Sequence, residues 1–203
     1  IDISIPSDPS SAAFFAALAV INNNSNLKLT NVLLNESRIG FVEVLNKMNC
    51  LISKSNESIH NGEKVGDLTI SSSNLKAIEI ESETIPSIID EVPILAVVAA
   101  FANGTTVFKN VEELKYKECD RLSAIIHNLE AFGIKAYEKN NDLFVEGSKV
   151  KRMPKITSFD DHRIAMAFTI LSLTSFEKYE LDNEQCVDIS LPKFFNYLSE
   201  ITK

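Results

Sequence analysis

Asp90, Lys117, Glu118, Arg121, His162 and Arg163 are the residues of this sequence whose types could do chemistry together. Arg121 and Arg163 each offer a planar guanidinium fork suited to a carboxylate or a phosphate. A carboxylate beside a lysine, as in Lys117-Glu118, can trade protons with a carbon or a hydroxyl. Asp90 supplies a second carboxylate. The set suits an anionic, oxygen-rich substrate handled without a metal.

The elements that must position these groups start with the run Val111 to Leu122, VEELKYKECDRL, which lies between two apolar segments. A helix beginning near Asp120 carries Leu122, Ile125, Ile126, Leu129 and Phe132 inward at three-and-four spacing. Lys117 and Glu118 then fall in the loop just ahead of it, where a rigid scaffold commonly presents reactive groups. The same run also reads as plain helix capping, with Asp120 as cap, acids near the positive end of the dipole and the rest solvated. Arg121 is then a surface partner for a residue one turn away. Taken alone, the run favours the capping interpretation, because charge runs are usually a wet face.

At 203 residues the chain is one large domain or two small ones, with enough length to bury a core. Apolar residues at 45% and charged residues at 24% are ordinary for a soluble globular protein. A net charge of −8 argues against nucleic acid or a membrane surface as the main partner. A local cluster of arginine and lysine can still hold small anions. Cys50, Cys119 and Cys186 are far apart and lack metal-ligand spacing, so free thiols in a reducing, cytoplasmic compartment are expected. Cys119 and Cys186 read as packing residues, with no base placed to activate either thiol. His60, His127 and His162 form no zinc motif. No apolar run is long enough to span a bilayer. The chain opens at Ile1 in a strand-like alternation, which suggests a fragment or processed product with no signal peptide in view.

The order of elements repeats. Ile1–Pro6 reads as a strand, and Asp8-Pro9 opens a helix whose run AAFFAALAVI, Ala12–Ile21, must be buried on nearly all sides. A strand at Leu27–Leu34, an amphipathic helix at Ile39–Met48 and strands at Cys50–Lys54 and Leu68–Ser72 follow, with Asn61-Gly62 as a turn and an extended piece at Ala77–Ile80. The second round has Asp90-Glu91, the apolar helix Val92–Phe101, a strand at Thr105–Lys109, the helix Asp120–Phe132, and strands at Lys135–Glu138 and Leu143–Glu146. The third has a strand at Ile156–Phe159, Asp160-Asp161, the apolar helix Ile164–Leu173, a strand at Tyr179–Asp182 and the helix Phe194–Ile201. It lacks a closing strand pair. The expected fold is α/β: one domain of three βαβαββ-like units at about 1–80, 81–148 and 149–203, with buried helices surrounded by sheets.

Asp8, Asp90 and Asp161 then stand at pseudo-equivalent helix N-termini, which are anion-friendly positions facing a common end of the domain. For Asp8 capping is sufficient explanation. Arg163, by contrast, opposes the dipole at the start of an apolar helix, and locally unfavourable residues at element ends are where function is most often found.

Four segments, in order and at compatible spacing, resemble the 5-enolpyruvylshikimate-3-phosphate synthase family. They are Asp8-Pro9-Ser10-Ser11-Ala12-Ala13-Phe14-Phe15, Ile85-Pro86 with Asp90-Glu91, Lys117-Glu118-Cys119-Asp120-Arg121-Leu122, and Asp161-His162-Arg163-Ile164-Ala165-Met166. The resemblance covers essentially the whole chain and only the C-terminal half of the family's chain, implying that an N-terminal domain is absent. It implies transfer of the enolpyruvyl group of phosphoenolpyruvate to the 5-hydroxyl of shikimate 3-phosphate, on the way to chorismate and the aromatic amino acids. No cofactor or metal is implied, and the expected state is a cytoplasmic monomer with no nucleic-acid or membrane partner. Carried over by position, Asp90 holds the shikimate hydroxyls and takes the attacking proton, and Glu118 protonates the methylene carbon and later deprotonates it. Lys117 binds shikimate 3-phosphate. Arg121 and Arg163 grip phosphoenolpyruvate, with Asp161 and His162 shaping that end. His162 reads equally as a packed, hydrogen-bonded histidine.

The chain departs from the family pattern at Ile189, where many members carry a lysine that binds substrate anion; Lys193 is nearby but displaced. This bears on affinity for phosphoenolpyruvate and for the inhibitor glyphosate. The chain alone is expected to be inactive. Rival interpretations are a UDP-N-acetylglucosamine enolpyruvyl transferase, a non-catalytic domain of the same fold, and an RNA-binding relative, the last disfavoured by the acidic balance.

Overall fold

The fold is taken from a computed structural model, which describes residues 5–201. Asp8 accepts the Ser11 backbone N–H at 2.8 Å and caps helix α1 (Pro9–Ile21), with proline at the first helical position where no N–H is needed. The chain continues through β1 (Asn26–Leu33), α2 (Gly40–Lys47), β2 (Leu51–His60), β3 (Glu63–Ser71) and β4 (Glu79–Ile80). Next come α3 (Val92–Ala100), β5 (Thr105–Phe108), α4 (Arg121–Ala131), β6 (Ala136–Lys139) and β7 (Asp142–Glu146). Helices α5 (His162–Phe176) and α6 (Phe194–Ile201) complete the order.

The three-unit repeat is visible in strand pairing. Strands β1, β3 and β2 form one antiparallel sheet, with β3 central. Strands β5, β7 and β6 repeat that order in a second sheet, where β4 adds a parallel edge. Each unit also has a parallel link across its buried helix. Ser7 bridges Val32 across α1, β4 pairs with β5 across α3, and Ile156 bridges Leu181 across α5. The third unit has no closing hairpin among the described residues.

Helices α1, α3 and α5 pack against one another at the centre, and every residue of α3 is buried. A helix without a polar face can be stable in water only in such a position, with other elements covering it. The amphipathic helices α2 and α4 lie outside them. Phe41, Val44, Leu45 and Met48 point inward from the α2 segment, and Leu122, Ile125, Leu129 and Phe132 from the α4 segment. Ile126, expected inward, is only half-buried, because it lies at the margin of the apolar stripe.

Several element boundaries differ from expectation. The strand expected over Ile1–Pro6 falls largely outside the described residues. The first hairpin extends to its turn, with a register shift between Ser55 and Ser58, and Asn61 and Gly62 both take positive φ and reverse the chain in two residues. The strands expected at Ile156–Phe159 and Tyr179–Asp182 shrink to the single Ile156–Leu181 bridge. Phe159 and Asp160 both turn to left-handed φ, 54° and 56°, which ends any extended run just before α5.

Candidate active site

The candidate groups converge where α3, α4 and α5 begin. Asp120 does cap α4, accepting the Ser123 N–H at 3.0 Å, so the capping interpretation of the charged run is correct for that residue. Its neighbours turn elsewhere. A short 3-10 turn at Glu112–Tyr116 delivers Lys117 and Glu118 in the loop ahead of α4, as the spacing predicted.

Arg121, the first residue of α4, is 0% exposed, and it is not a surface partner. Its guanidinium is spread over three carboxylates. Nε donates to Asp161 Oδ2 at 2.7 Å, Nη1 to Asp90 Oδ1 at 3.0 Å, and Nη2 to Glu118 Oε2 at 2.5 Å. Burial alone disfavours the charged guanidinium, but Asp161, Glu118 and Asp90 outweigh it and raise its pKa above the ordinary value.

Asp161 caps α5 through Oδ1, which accepts the backbone N–H of Arg163 at 2.8 Å and of Ile164 at 3.2 Å. Its other oxygen is thereby aimed at Arg121. The turn that places it is pinned from two sides. Asn128 of α4 exchanges hydrogen bonds with the backbone of Thr157, and Ser158 N–H donates to Asp182. The left-handed Phe159-Asp160 pair costs roughly 1–3 kcal/mol per residue, a strain that persists only where surrounding contacts enforce it.

Arg163 leaves the dipole of its own helix and reaches to α3. Its Nη1 donates to the Asp90 carbonyl at 3.0 Å and lies 3.5 Å from Glu91 Oε1, while Nη2 lies 3.7 Å from Asp90 Oδ2. Lys117 Nζ sits 3.6 Å from Asp90 Oδ1 and 2.8 Å from Glu113. Burial pushes the Asp90 carboxyl up, yet Arg163, Lys117 and Arg121 together hold it below the ordinary carboxylate range. Asp90 and Glu118 keep side-chain exposures of 42% and 54%, so both carboxylates open to solvent above a buried arginine. The site is an open face. His162 packs in the first turn of α5, and burial lowers its pKa despite Asp161, which favours the neutral ring. Burial, then Asp161, pushes the Cys119 thiol up to about 12, which fits an inert packing residue.

All seven candidate residues, Asp90, Lys117, Glu118, Arg121, Asp161, His162 and Arg163, therefore lie in one cluster. Ile189 does not join their contacts; it lies at the end of a 3-10 turn and is 80% exposed. Glu91 was missed as a member of the set. Its signal was a second acid directly at the start of a wholly apolar helix, a place where burial was foreseeable. Among the described residues no group of histidine, cysteine, aspartate and glutamate could hold a metal ion, and no helix is long and apolar enough to cross a membrane.

Buried helices wrapped by repeated small sheets place the domain in the fold class of the enolpyruvyl transferases. The fold superposes on the enolpyruvyl transferase NikO of Streptomyces tendae with a TM-score of 0.74 at 16% identity, covering 99% of this chain and 44% of that one. It superposes on the EPSP synthase of Acinetobacter baumannii with a TM-score of 0.93 at 33% identity, covering 98% of this chain and 46% of that one. Over residues 1–198 the chain matches the family described as EPSP synthase (3-phosphoshikimate 1-carboxyvinyltransferase), and it belongs to that family. The 3-phosphoshikimate 1-carboxyvinyltransferase of Clostridium tetani is 43% identical over 201 residues, 98% of this chain and 46% of that protein. That of a Sulfurihydrogenibium species is 41% identical over 203 residues, 100% of this chain and 47% of that protein. The chain thus spans about half the length of the curated relatives it matches.

Proposed function

We propose that this chain is the C-terminal domain of an enzyme that transfers the enolpyruvyl group of phosphoenolpyruvate to the 5-hydroxyl of shikimate 3-phosphate, releasing phosphate. The observation that carries this is Arg121, buried and shared by Asp90, Glu118 and Asp161 in a chain of this family. It fixes two half-exposed carboxylates above one cation, so that protons and substrate anion meet at one place.

In this assignment Asp90 orients the shikimate hydroxyls and accepts the proton of the attacking oxygen. Glu118, in its protonated form, gives a proton to the methylene carbon, and a tetrahedral adduct forms. Glu118 then removes a proton from the methyl group as phosphate leaves, which restores the double bond. Lys117 binds shikimate 3-phosphate near the reacting hydroxyl. Arg163 and Arg121 meet the carboxylate of phosphoenolpyruvate, with Asp161 and His162 fixing that end. Glu118 accepts from Arg121 Nη2, so a substrate carboxylate arriving there competes with Glu118 and releases it for proton transfer.

Charge bookkeeping supports a second half. Lys117, Arg121 and Arg163 already face Asp90, Glu91, Glu118 and Asp161. Two multiply anionic substrates need further cations, which an N-terminal domain of the same enzyme supplies across a cleft. The assembled enzyme works as a cytoplasmic monomer, without cofactor or metal. The test is phosphate release from phosphoenolpyruvate and shikimate 3-phosphate by this chain alone and mixed with the N-terminal half of a relative. UDP-N-acetylglucosamine serves as control acceptor. Activity only on mixing and only with shikimate 3-phosphate is expected. A folded mixture that stays silent, or one that prefers the nucleotide sugar, overturns the assignment.

A further inference from the structure

Glu91 is the least comfortable residue near the site. It stands directly before α3, is 4% exposed, and among the described residues its Oε1 has no hydrogen-bond partner. The nearest cation is Arg163, whose Nη1 lies 3.5 Å from that oxygen. A buried carboxylate oxygen left unpaired costs free energy and calls for a reason beyond packing. Its surroundings come from four elements. Ser10 hydrogen-bonds its carboxylate from α1, and Arg38 faces it from just before α2, Asp90 from its own segment and Arg163 from α5. Arg38 is itself directed at Asp8 and Ser10, each 3.3 Å away, and so is less available to Glu91.

Among the described residues, Glu91 and Asp90 are the acids within ion-pair range of Arg163. Its Nη1 is held by the Asp90 carbonyl, and the Asp90 carboxylate lies beyond hydrogen-bond range of Nη2 at 3.7 Å. One fixed hydrogen bond leaves a guanidinium free to pivot; a second contact on the inner edge fixes its plane. We propose that Glu91 is a positioning residue for Arg163. It holds the inner edge of the guanidinium against α3, so that the outward edge is presented in a fixed plane to the carboxylate of the enolpyruvyl donor. The part of this that names the donor rests on the proposed function; the part that fixes Arg163 does not. A buried, poorly paired acid retained at a helix start is then a residue kept for orientation at some expense in stability, which burial supports by raising its pKa.

The test uses Glu91→Met, which keeps the side-chain length and removes the acceptor, and Glu91→Gln, which keeps an acceptor oxygen and removes the charge. Both substitutions keep the size of the side chain, so both variants are expected to stay folded, which their melting temperatures check. The first readout needs no activity. The 203-residue chain is treated with phenylglyoxal, and modification of each arginine is followed by mass spectrometry. Arg163 in E91M is expected to react several-fold faster than in the parent, with E91Q close to the parent and Arg152, which donates to the carbonyls of Glu130 and Ala131, as internal reference. Equal Arg163 reactivity in all three chains overturns the proposal.

The second readout uses the chain mixed with the N-terminal half. E91M is expected to raise KM for phosphoenolpyruvate by about tenfold, through the loss of one ion-pair contact to Arg163, with kcat and KM for shikimate 3-phosphate little changed. An active mixture in which KM for phosphoenolpyruvate does not move, or in which both KM values and kcat move together, overturns the proposal. A parent mixture with no turnover, alongside faster Arg163 labelling in E91M, supports the positioning role and counts against the assigned reaction instead.

Discussion

Arg121 Nε and Asp161 Oδ2 are 2.7 Å apart, with side chains only 1% and 0% exposed. The pair ties the first residue of α4 to the residue that caps α5, so it joins the second and third repeat units at the floor of the site. Its remaining valences are not idle: Asp161 caps a helix, and Arg121 holds two further carboxylates. Such a pair is costly to bury and costlier to break.

Arg121→Met leaves Asp161 buried without its cation and is expected to lose about 3–5 kcal/mol of stability in urea unfolding. Asp161→Asn keeps a good capping side chain, so its loss is expected to be smaller. The double variant should lose less than the sum of the two, because the uncompensated charge is gone. Strict additivity would show that the pair is not coupled.

Glu118→Gln removes a half-exposed carboxylate whose pairing with Arg121 lies at the solvent boundary. Stability should change by less than about 1 kcal/mol. On the proposed role of Glu118 as proton donor and acceptor, turnover in the mixture with the N-terminal half should fall by at least ~100-fold. A variant that keeps near-parent turnover would remove Glu118 from the chemistry.

Asp67 predicts the acid limb of the stability curve. Lys28, Asn56 and the Asn31 backbone N–H all bond its carboxylate, and they lower its pKa to about 2. A depressed carboxylate stabilises the fold above its unfolded pKa of about 3.9, and that contribution is lost as pH falls toward the folded value. Asp67→Asn should therefore lower the melting temperature at pH 6 and converge on the parent near pH 2. A difference between the two chains that holds constant from pH 6 to pH 2 would contradict this assignment.

Gly147 follows β7 where the chain passes over the end of α3. A β-carbon there would collide with the Ala102 carbonyl, and backbone cannot yield as a flexible side chain does. Gly147→Ala should destabilise by about 1–3 kcal/mol or more, read from chemical unfolding. Gly62→Ala, at φ 85° but with open space around it, is the milder comparison. Equal losses would point to backbone dihedral rather than the collision.

Much of this was legible in the residues themselves. The apolar runs Ala12–Ile21, Val92–Phe101 and Ile164–Leu173 had nowhere to go but the centre, because a helix with no polar face cannot border water. The capping acids Asp8, Asp120 and Asp161 marked where three of the helices begin, since capping chemistry is local. The recurrence of strand, buried helix, strand and amphipathic helix gave the repeat, and with it the common end where Asp90 and Arg163 meet. The strands of the third unit were overdrawn, because a short apolar run carries no information about whether a partner strand lies beside it.

What only the tertiary structure decided is how charge is shared. Sequence spacing put Arg121 near Glu118 but could not say that Asp90 and Asp161, 31 and 40 residues away, take its other nitrogens. Nor could it show that Arg163 abandons its own helix for the Asp90 carbonyl, or that Glu91 is sealed behind it. Helices, caps and burial follow from interactions within a few residues or from bulk hydrophobicity, which sequence carries directly. Ion pairing between distant segments depends on distances of a few ångströms set by packing, and those exist only once the chain has folded.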